Sequence, residues 1–253
     1  MPQDPKDVAS KVAQVTLAFW VMKICATTAG ETGGDLLSMT LKVGYLASTL
    51  ILMSGFLVVL VLQLRAKTFH PFLYWTVILA TSTAGTTLSD YMDRTLGLGY
   101  AAGATILVSL LAAILVTWRL VLGSIAVDHI RDPRVEAFYW AAILVSNTLG
   151  TALGDYLADS SGLGYGLSNL LIAGGIVLTV IGWRFTPLSR TVLFWIAFVL
   201  TRPFGATMGD LLTKAPEKGG LGIGTAGSTL VLLAILVLVL IFSTRRDRQA
   251  LEA

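Results

Sequence analysis

Long apolar runs alternate along the chain with short polar connections. They cover approximately 14–35, 44–64, 71–90, 99–119, 136–156, 164–184, 190–212 and 221–243. A helix of about twenty apolar residues crosses the ~30 Å hydrocarbon core of a bilayer. The pattern therefore predicts an all-α polytopic membrane protein with eight transmembrane helices. The first run does not read as a cleaved signal peptide, because no A-x-A site follows it and its features recur downstream.

The runs pair into four copies of one hairpin. Gly30-Glu-Thr-Gly-Gly34-Asp35, Gly85-Thr-Thr-Leu-Ser89-Asp90, Gly150-Thr-Ala-Leu-Gly154-Asp155 and Gly205-Ala-Thr-Met-Gly209-Asp210 share the pattern G-x-x-x-[GS]-D. Fifteen residues before each aspartate stands a tryptophan (Trp20, Trp75, Trp140, Trp195), and each tryptophan follows an aromatic residue. Glycine-containing turns come after each aspartate, then a second apolar run ending near Arg65, Arg119, Arg184 or Arg245. The repeats span approximately 12–65, 68–119, 134–184 and 189–245 of one transmembrane domain, 1–253. Each copy holds an even number of spans, so all four point the same way, unlike inverted transporter repeats. The longer 119–135 connection suggests two four-helix halves.

Composition agrees: 55% of the 253 residues are hydrophobic and only 13% charged, about half the charge of a soluble domain. The net charge of +3 is informative by position and carries no nucleic-acid signal. Lys6, Lys11, Arg65, Lys67, Arg119, Arg131, Arg134, Arg184, Arg190, Arg245, Arg246 and Arg248 fall in one set of connections. The opposite set holds only Lys42, Arg94, Lys214 and Lys218. This bias places both termini in the cytoplasm. A single cysteine, Cys25, excludes a disulfide framework and a Cys-based metal site. His70 and His129 lie in connections, away from the spans.

Helical rise over fifteen residues is about 22 Å, which puts each aspartate toward the outer face. On a helix, positions four, seven and eight before the aspartate share its side broadly. They are Glu31, Thr28 and Thr27; Thr86, Thr83 and Ser82; Thr151, Thr148 and Asn147; and, breaking the pattern, Ala206, Pro203 and Arg202. The G-x-x-x-[GS] spacing by itself is a helix-packing device. The aspartates are different, because an ionised Asp inside a bilayer costs ~2.5–3.5 kcal/mol at the centre. Four carboxylates around a common axis must either protonate or share a cation. Asp35, Asp90, Asp155, Asp210 and Glu31 form an all-oxygen candidate set, with Thr28, Thr83, Asn147, Thr148 and Arg202 as secondary candidates. Oxygen ligands suit Mg²⁺, Ca²⁺ and Mn²⁺. Lys23 is close enough to Trp20 to snorkel to the cytoplasmic interface. Arg202 is deeper and precedes Pro203, so it is expected to pair with one of the acids and to yield when a cation enters.

Taken together, the four G-x-x-x-[GS]-D hairpins resemble a family of small bacterial multi-pass inner-membrane proteins, over nearly the whole chain. The resemblance implies metal-cation handling in the bacterial inner membrane. The expected function is transport of a divalent cation as substrate, with Mn²⁺ favoured and export the first direction to consider. The expected partners are the lipid bilayer and the metal ion, with self-association open; no organic cofactor is expected. An acidic-ring cation channel, a membrane-embedded enzyme and a scaffold or sensor subunit are the alternatives. An enzyme is disfavoured, since no HExxH, GxSxG or His–carboxylate cluster occurs.

Overall fold

In the computed structural model, residues 10–127 and 130–252 are described, the side chains of 247–252 excepted. Lys6 and His129 lie outside the described residues, as does the side chain of Arg248. Eight long helices follow one another: α1 Leu17–Asp35, α2 Tyr45–Arg65, α3 Pro71–Asp90, α4 Tyr100–Leu122, α5 Pro133–Asp155, α6 Gly164–Phe185, α7 Arg190–Thr213 and α8 Thr225–Glu252. No strand occurs among the described residues. Local chemistry sets several boundaries. The Thr16 side chain caps α1 by accepting from the Phe19 amide at 3.2 Å, and Asp132 caps α5 ahead of Pro133, as expected for N-cap and first-turn residues. After Asp35, Asp90 and Asp155 the chain continues for five residues as a π-helical turn. Gly44 and Gly99, with φ of +84° and +72°, then start α2 and α4 in a region that side chains rarely adopt.

The odd-numbered helices form a closed inner ring in which α1 meets α3, α3 meets α5, α5 meets α7 and α7 returns to α1. The even-numbered helices lie outside. Each packs on the inner helix of the next repeat, α2 on α3, α4 on α5, α6 on α7, and α8 on α1. The hairpins thus interlock around a pseudo-fourfold axis, and the division into two four-helix halves is not expressed in the packing. The long connection that suggested it packs onto its neighbours: the Trp195 indole donates to the Ile125 carbonyl at 3.0 Å, and the Lys11 amide to the Ile130 carbonyl at 3.0 Å.

The repeated glycines account for the ring. A Cβ on Gly30 would lie 2.2 Å from Ser82 Oγ, one on Gly85 3.1 Å from the Asn147 carbonyl carbon, one on Gly150 2.1 Å from Arg202 Cγ, and one on Gly205 2.4 Å from Thr27 Oγ1. Each glycine five residues before its aspartate therefore receives the next repeat's residue eight before its own. Close backbone approach of this kind is what small residues permit inside membranes. The aromatic pairs obey the same rule. Phe19 meets Trp75, Tyr74 meets Trp140, Tyr139 meets Trp195 and Phe194 meets Trp20, at centroid distances of 5.5–6.5 Å. Trp75, Trp140 and Trp195 are buried, so they close the ring at one end and do not anchor it to lipid.

Polarity is inside out. Polar side chains such as Thr27, Thr86, Asn147 and Thr151 are buried, while Leu50, Val58, Leu120, Leu170, Leu178 and Leu230 are exposed. An apolar exterior over a polar interior marks a protein whose solvent is lipid. Among the described residues five helices, α2, α4, α6, α7 and α8, are long and apolar enough to cross a membrane. α1, α3 and α5 carry much of the buried polar stripe and form the inner ring with α7.

Candidate cation site on the ring axis

Four-residue steps along each inner helix advance about 6 Å, which divides the ring into layers. At one end stand Asp35, Asp90, Asp155 and Asp210, all buried. Two basic residues that follow an aspartate by four positions bridge them in pairs. Arg94 Nε lies 3.0 Å from Asp90 Oδ1 and its NH2 3.0 Å from Asp155 Oδ2. Lys214 Nζ lies 2.9 Å from Asp35 Oδ2 and 2.9 Å from Asp210 Oδ1. Each base thus joins its own aspartate to that of the next repeat. Repeats one and three have Met39 and Asp159 at this position, so the charge pattern is twofold where the packing is fourfold.

One layer deeper are Glu31, Thr86, Thr151 and Ala206, and below them Thr27, Ser82, Asn147 and Arg202. Arg202 is 0% exposed and fills the axis. It donates to Glu31 Oε2 at 2.9 Å, Thr86 Oγ1 at 2.6 Å, Thr151 Oγ1 at 2.7 Å and the Ser82 carbonyl at 3.3 Å. Thr86 and Thr151 also lie 3.2 and 3.1 Å from Glu31 Oε2. The expected pairing with an acid is present, with Glu31 as the partner. The buried guanidinium makes four hydrogen bonds through its two terminal nitrogens, so removing Glu31 would strand a buried charge.

Lys23 departs from expectation. It is 0% exposed, too deep to snorkel. Its ammonium lies 3.3 Å from Asn147 Oδ1 and 3.9 Å from the centroid of the Phe198 ring, with no carboxylate in ion-pair range among the described residues. Asn147 also donates to Thr81 Oγ1 at 2.8 Å, so it serves this layer and not the aspartates. Thr28, Thr83 and Thr148 bond carbonyls of their own helices, as hydroxyls in membrane helices commonly do. Further along the inner helices the buried Tyr74 and Tyr139 hydroxyls meet at 2.6 Å.

Of the five expected acids, Glu31, Asp35 and Asp210 each offer an oxygen within 4.8 Å of the others. Ligand oxygens bound to one Mg²⁺ or Ca²⁺ at about 2.0–2.6 Å stand up to ~5 Å apart across the ion, so this spacing fits. Asp90 and Asp155 belong to the Arg94 pair instead. Sequence reasoning counted Arg94 and Lys214 only as loop charges. The signal available was their i+4 spacing from Asp90 and Asp210, which brings side chains together on a helix. A cavity of about 610 Å³ lies elsewhere: it is an apolar space between α1, α6 and α7 beside Trp20, Trp183 and Arg190.

Ring, repeats and lipid-type exterior define a helical membrane protein made of four internal repeats. The chain belongs to the family described as Repeat of Unknown Function (DUF347), whose repeat matches residues 18–69, 73–122, 138–188 and 193–249 in succession. No curated protein and no solved structure shows a significant match.

Proposed function

We propose that the protein is a transporter of a divalent metal cation, with all eight helices crossing the bacterial inner membrane, both termini cytoplasmic and the aspartates toward the outer face. The observation that carries this reading is the group Glu31, Asp35 and Asp210, three buried carboxylates within 4.8 Å of one another. Counted with this group, the ring interior holds five acids, Glu31, Asp35, Asp90, Asp155 and Asp210, against four bases, Lys23, Arg94, Arg202 and Lys214. The surplus of negative charge in a low-dielectric interior favours a bound cation. An all-oxygen set favours Mn²⁺, Mg²⁺ or Ca²⁺, and Mn²⁺ is the first to test, with export as the direction. Arg202 across the axis supports a carrier over an open acidic-ring channel, since a continuous water path would have to pass its guanidinium.

Two measurements on the purified full-length protein test the reading. A ligand that binds only the folded state raises apparent stability by mass action, so Mn²⁺ should raise the thermal midpoint in detergent and Asp210→Asn should abolish the rise. Reconstituted liposomes should then show Mn²⁺ flux that Asp210→Asn removes. Binding without flux would favour a sensor, and neither binding nor flux for any ion of a Mn²⁺, Mg²⁺, Ca²⁺ and Zn²⁺ panel would overturn the proposal.

A further inference from the structure

The two basic bridges at the carboxylate end look equivalent in the repeats but are built differently. Arg94 lies in the π-helical turn Tyr91–Thr95. It gives each of two carboxylates its own nitrogen, donates through NH1 to Tyr45 Oη at 3.1 Å, and stands over the Tyr45 and Tyr100 rings at 5.8 and 5.6 Å. A planar fork held by two hydrogen bonds, a further ion-pair contact and two ring faces has little freedom to leave. Lys214 has one ammonium shared between two carboxylates and no ring contact among the described residues. It lies just past the last turn of α7, with an extended backbone at ψ 152°, and leads into the exposed stretch 215–219. Its stem is flexible and its head is a point charge, so it can withdraw without unwinding a helix.

What surrounds the two heads differs as well. Lys214 sits at the group where Glu31 joins Asp35 and Asp210. Arg202 occupies only Oε2 of Glu31, which leaves that residue a second oxygen. Asp35 is 2% exposed and its Oδ1 accepts no hydrogen bond, an arrangement that is costly for a buried acceptor. Neither oxygen of Asp90 accepts a hydrogen bond, yet among the described residues no third acid completes a ligand set on the Arg94 side. An ammonium between two carboxylates, beside a third acid and an unsatisfied oxygen, occupies the place a metal ion would take.

We propose that Lys214 is a resident counter-ion which a divalent cation displaces from Asp35 and Asp210, while Arg94 keeps Asp90 and Asp155 permanently paired. The ring then takes one ion, on the Glu31–Asp35–Asp210 side, and the pseudo-fourfold protein has a single binding position. This inference rests on the cation-transport reading. When the ion enters, the two Lys214 contacts are exchanged for metal–oxygen contacts, and the lysine head moves out with the 215–219 stretch. When the ion leaves, the lysine returns and spares the aspartates from facing one another bare. The tethered charge thereby lowers the cost of the empty state and hastens release, at the expense of affinity.

Titration of the purified full-length protein with MnCl₂, by calorimetry and by thermal midpoint, tests it. Lys214→Gln should bind Mn²⁺ about tenfold more tightly or better, since each tenfold corresponds to about 1.4 kcal/mol of lost competition. Its metal-free midpoint should fall, because two aspartates lose their partner. Lys214→Arg guards against a variant that does not fold: a guanidinium should grip both carboxylates as Arg94 does, weakening Mn²⁺ binding about tenfold with the metal-free midpoint held or raised. Arg94→Lys should still leave the stoichiometry at one, because the third acid, Glu31, stands with Asp35 and Asp210; a second bound ion would overturn the single binding position. If the parent binds Mn²⁺ and both Lys214 variants bind it with the parent's affinity, or Lys214→Gln binds more weakly, the counter-ion role is wrong while the transport reading stands. If neither parent nor variants bind any ion of the panel, both fall.

Discussion

Gly205→Ala probes the seam that turns a row of four repeats into a ring, because Gly205 on α7 faces Thr27 on α1. The added methyl would lie 2.4 Å from Thr27 Oγ1, 2.7 Å from Thr27 Cβ and 2.9 Å from the Thr27 carbonyl carbon. Apolar carbon contacts are comfortable at about 3.5–4.0 Å. The hydroxyl can rotate away, but Cβ and the backbone cannot, so α1 and α7 must part by roughly 1 Å. Overpacking of this kind costs about 1–3 kcal/mol, and the backbone contact puts this site toward the upper end. Separation also stretches the bond from Thr27 Oγ1 to the Thr201 carbonyl, now 3.2 Å, worth about 0.6 kcal/mol in a membrane. Alanine's higher helix propensity returns about 1 kcal/mol, for a net loss of about 2 kcal/mol, taking the propensity and overpacking terms together. At roughly 2–4 °C per kcal/mol for a chain of this size, the thermal midpoint should fall by about 4–8 °C. Gly174→Ala on α6 is the control: nothing lies within 4 Å of its added Cβ, so only the propensity gain remains and the midpoint should hold or rise. The assay is thermal unfolding of both purified variants in one detergent, without metal. Equal midpoints for Gly205→Ala and the parent would refute the closed ring.

Three more outcomes are expected. Glu31→Gln, measured without metal, should cost about 3–5 kcal/mol because it strands the buried Arg202 guanidinium; the double variant Glu31→Leu with Arg202→Met should lose much less than the sum of the two singles in an unfolding cycle, and additivity would show that the pair is not coupled. Lys23→Met removes an ammonium that, among the described residues, has Asn147 and Phe198 as its partners, so its midpoint should equal or exceed the parent's, whereas a fall of several degrees would show the charge to be a working part of the core. In a Cys25→Ser background, cysteines at the exposed positions Ser160 and Glu217 should react with impermeant reagents from outside the cell and one at the exposed Lys67 should not; reversed labelling would turn the carboxylate end toward the cytoplasm.

Read alone, the chain determines its helices, its fourfold repeat and its acids. These are properties of local order: a run of apolar residues forms a helix wherever it finds lipid, and a spacing of fifteen residues from Trp to Asp sets their separation along any helix. The pairing of Arg202 with an acid was also legible, because a guanidinium that deep in an apolar span has few other ways to be solvated. Which acid it meets was not. Glu31 is 171 positions away, and only ring closure between the first and last repeats brings them together. The tertiary structure likewise decided that each outer helix packs on the next repeat's inner helix, that Lys23 is sealed in the core, and that Arg94 and Lys214 divide four like aspartates into two unlike pairs. Periodicity states which face of a helix is buried, while the neighbour across that face is chosen by steric fit. Here the fit is glycine against the next repeat's bulkier residue, a relation between distant positions that no single segment contains.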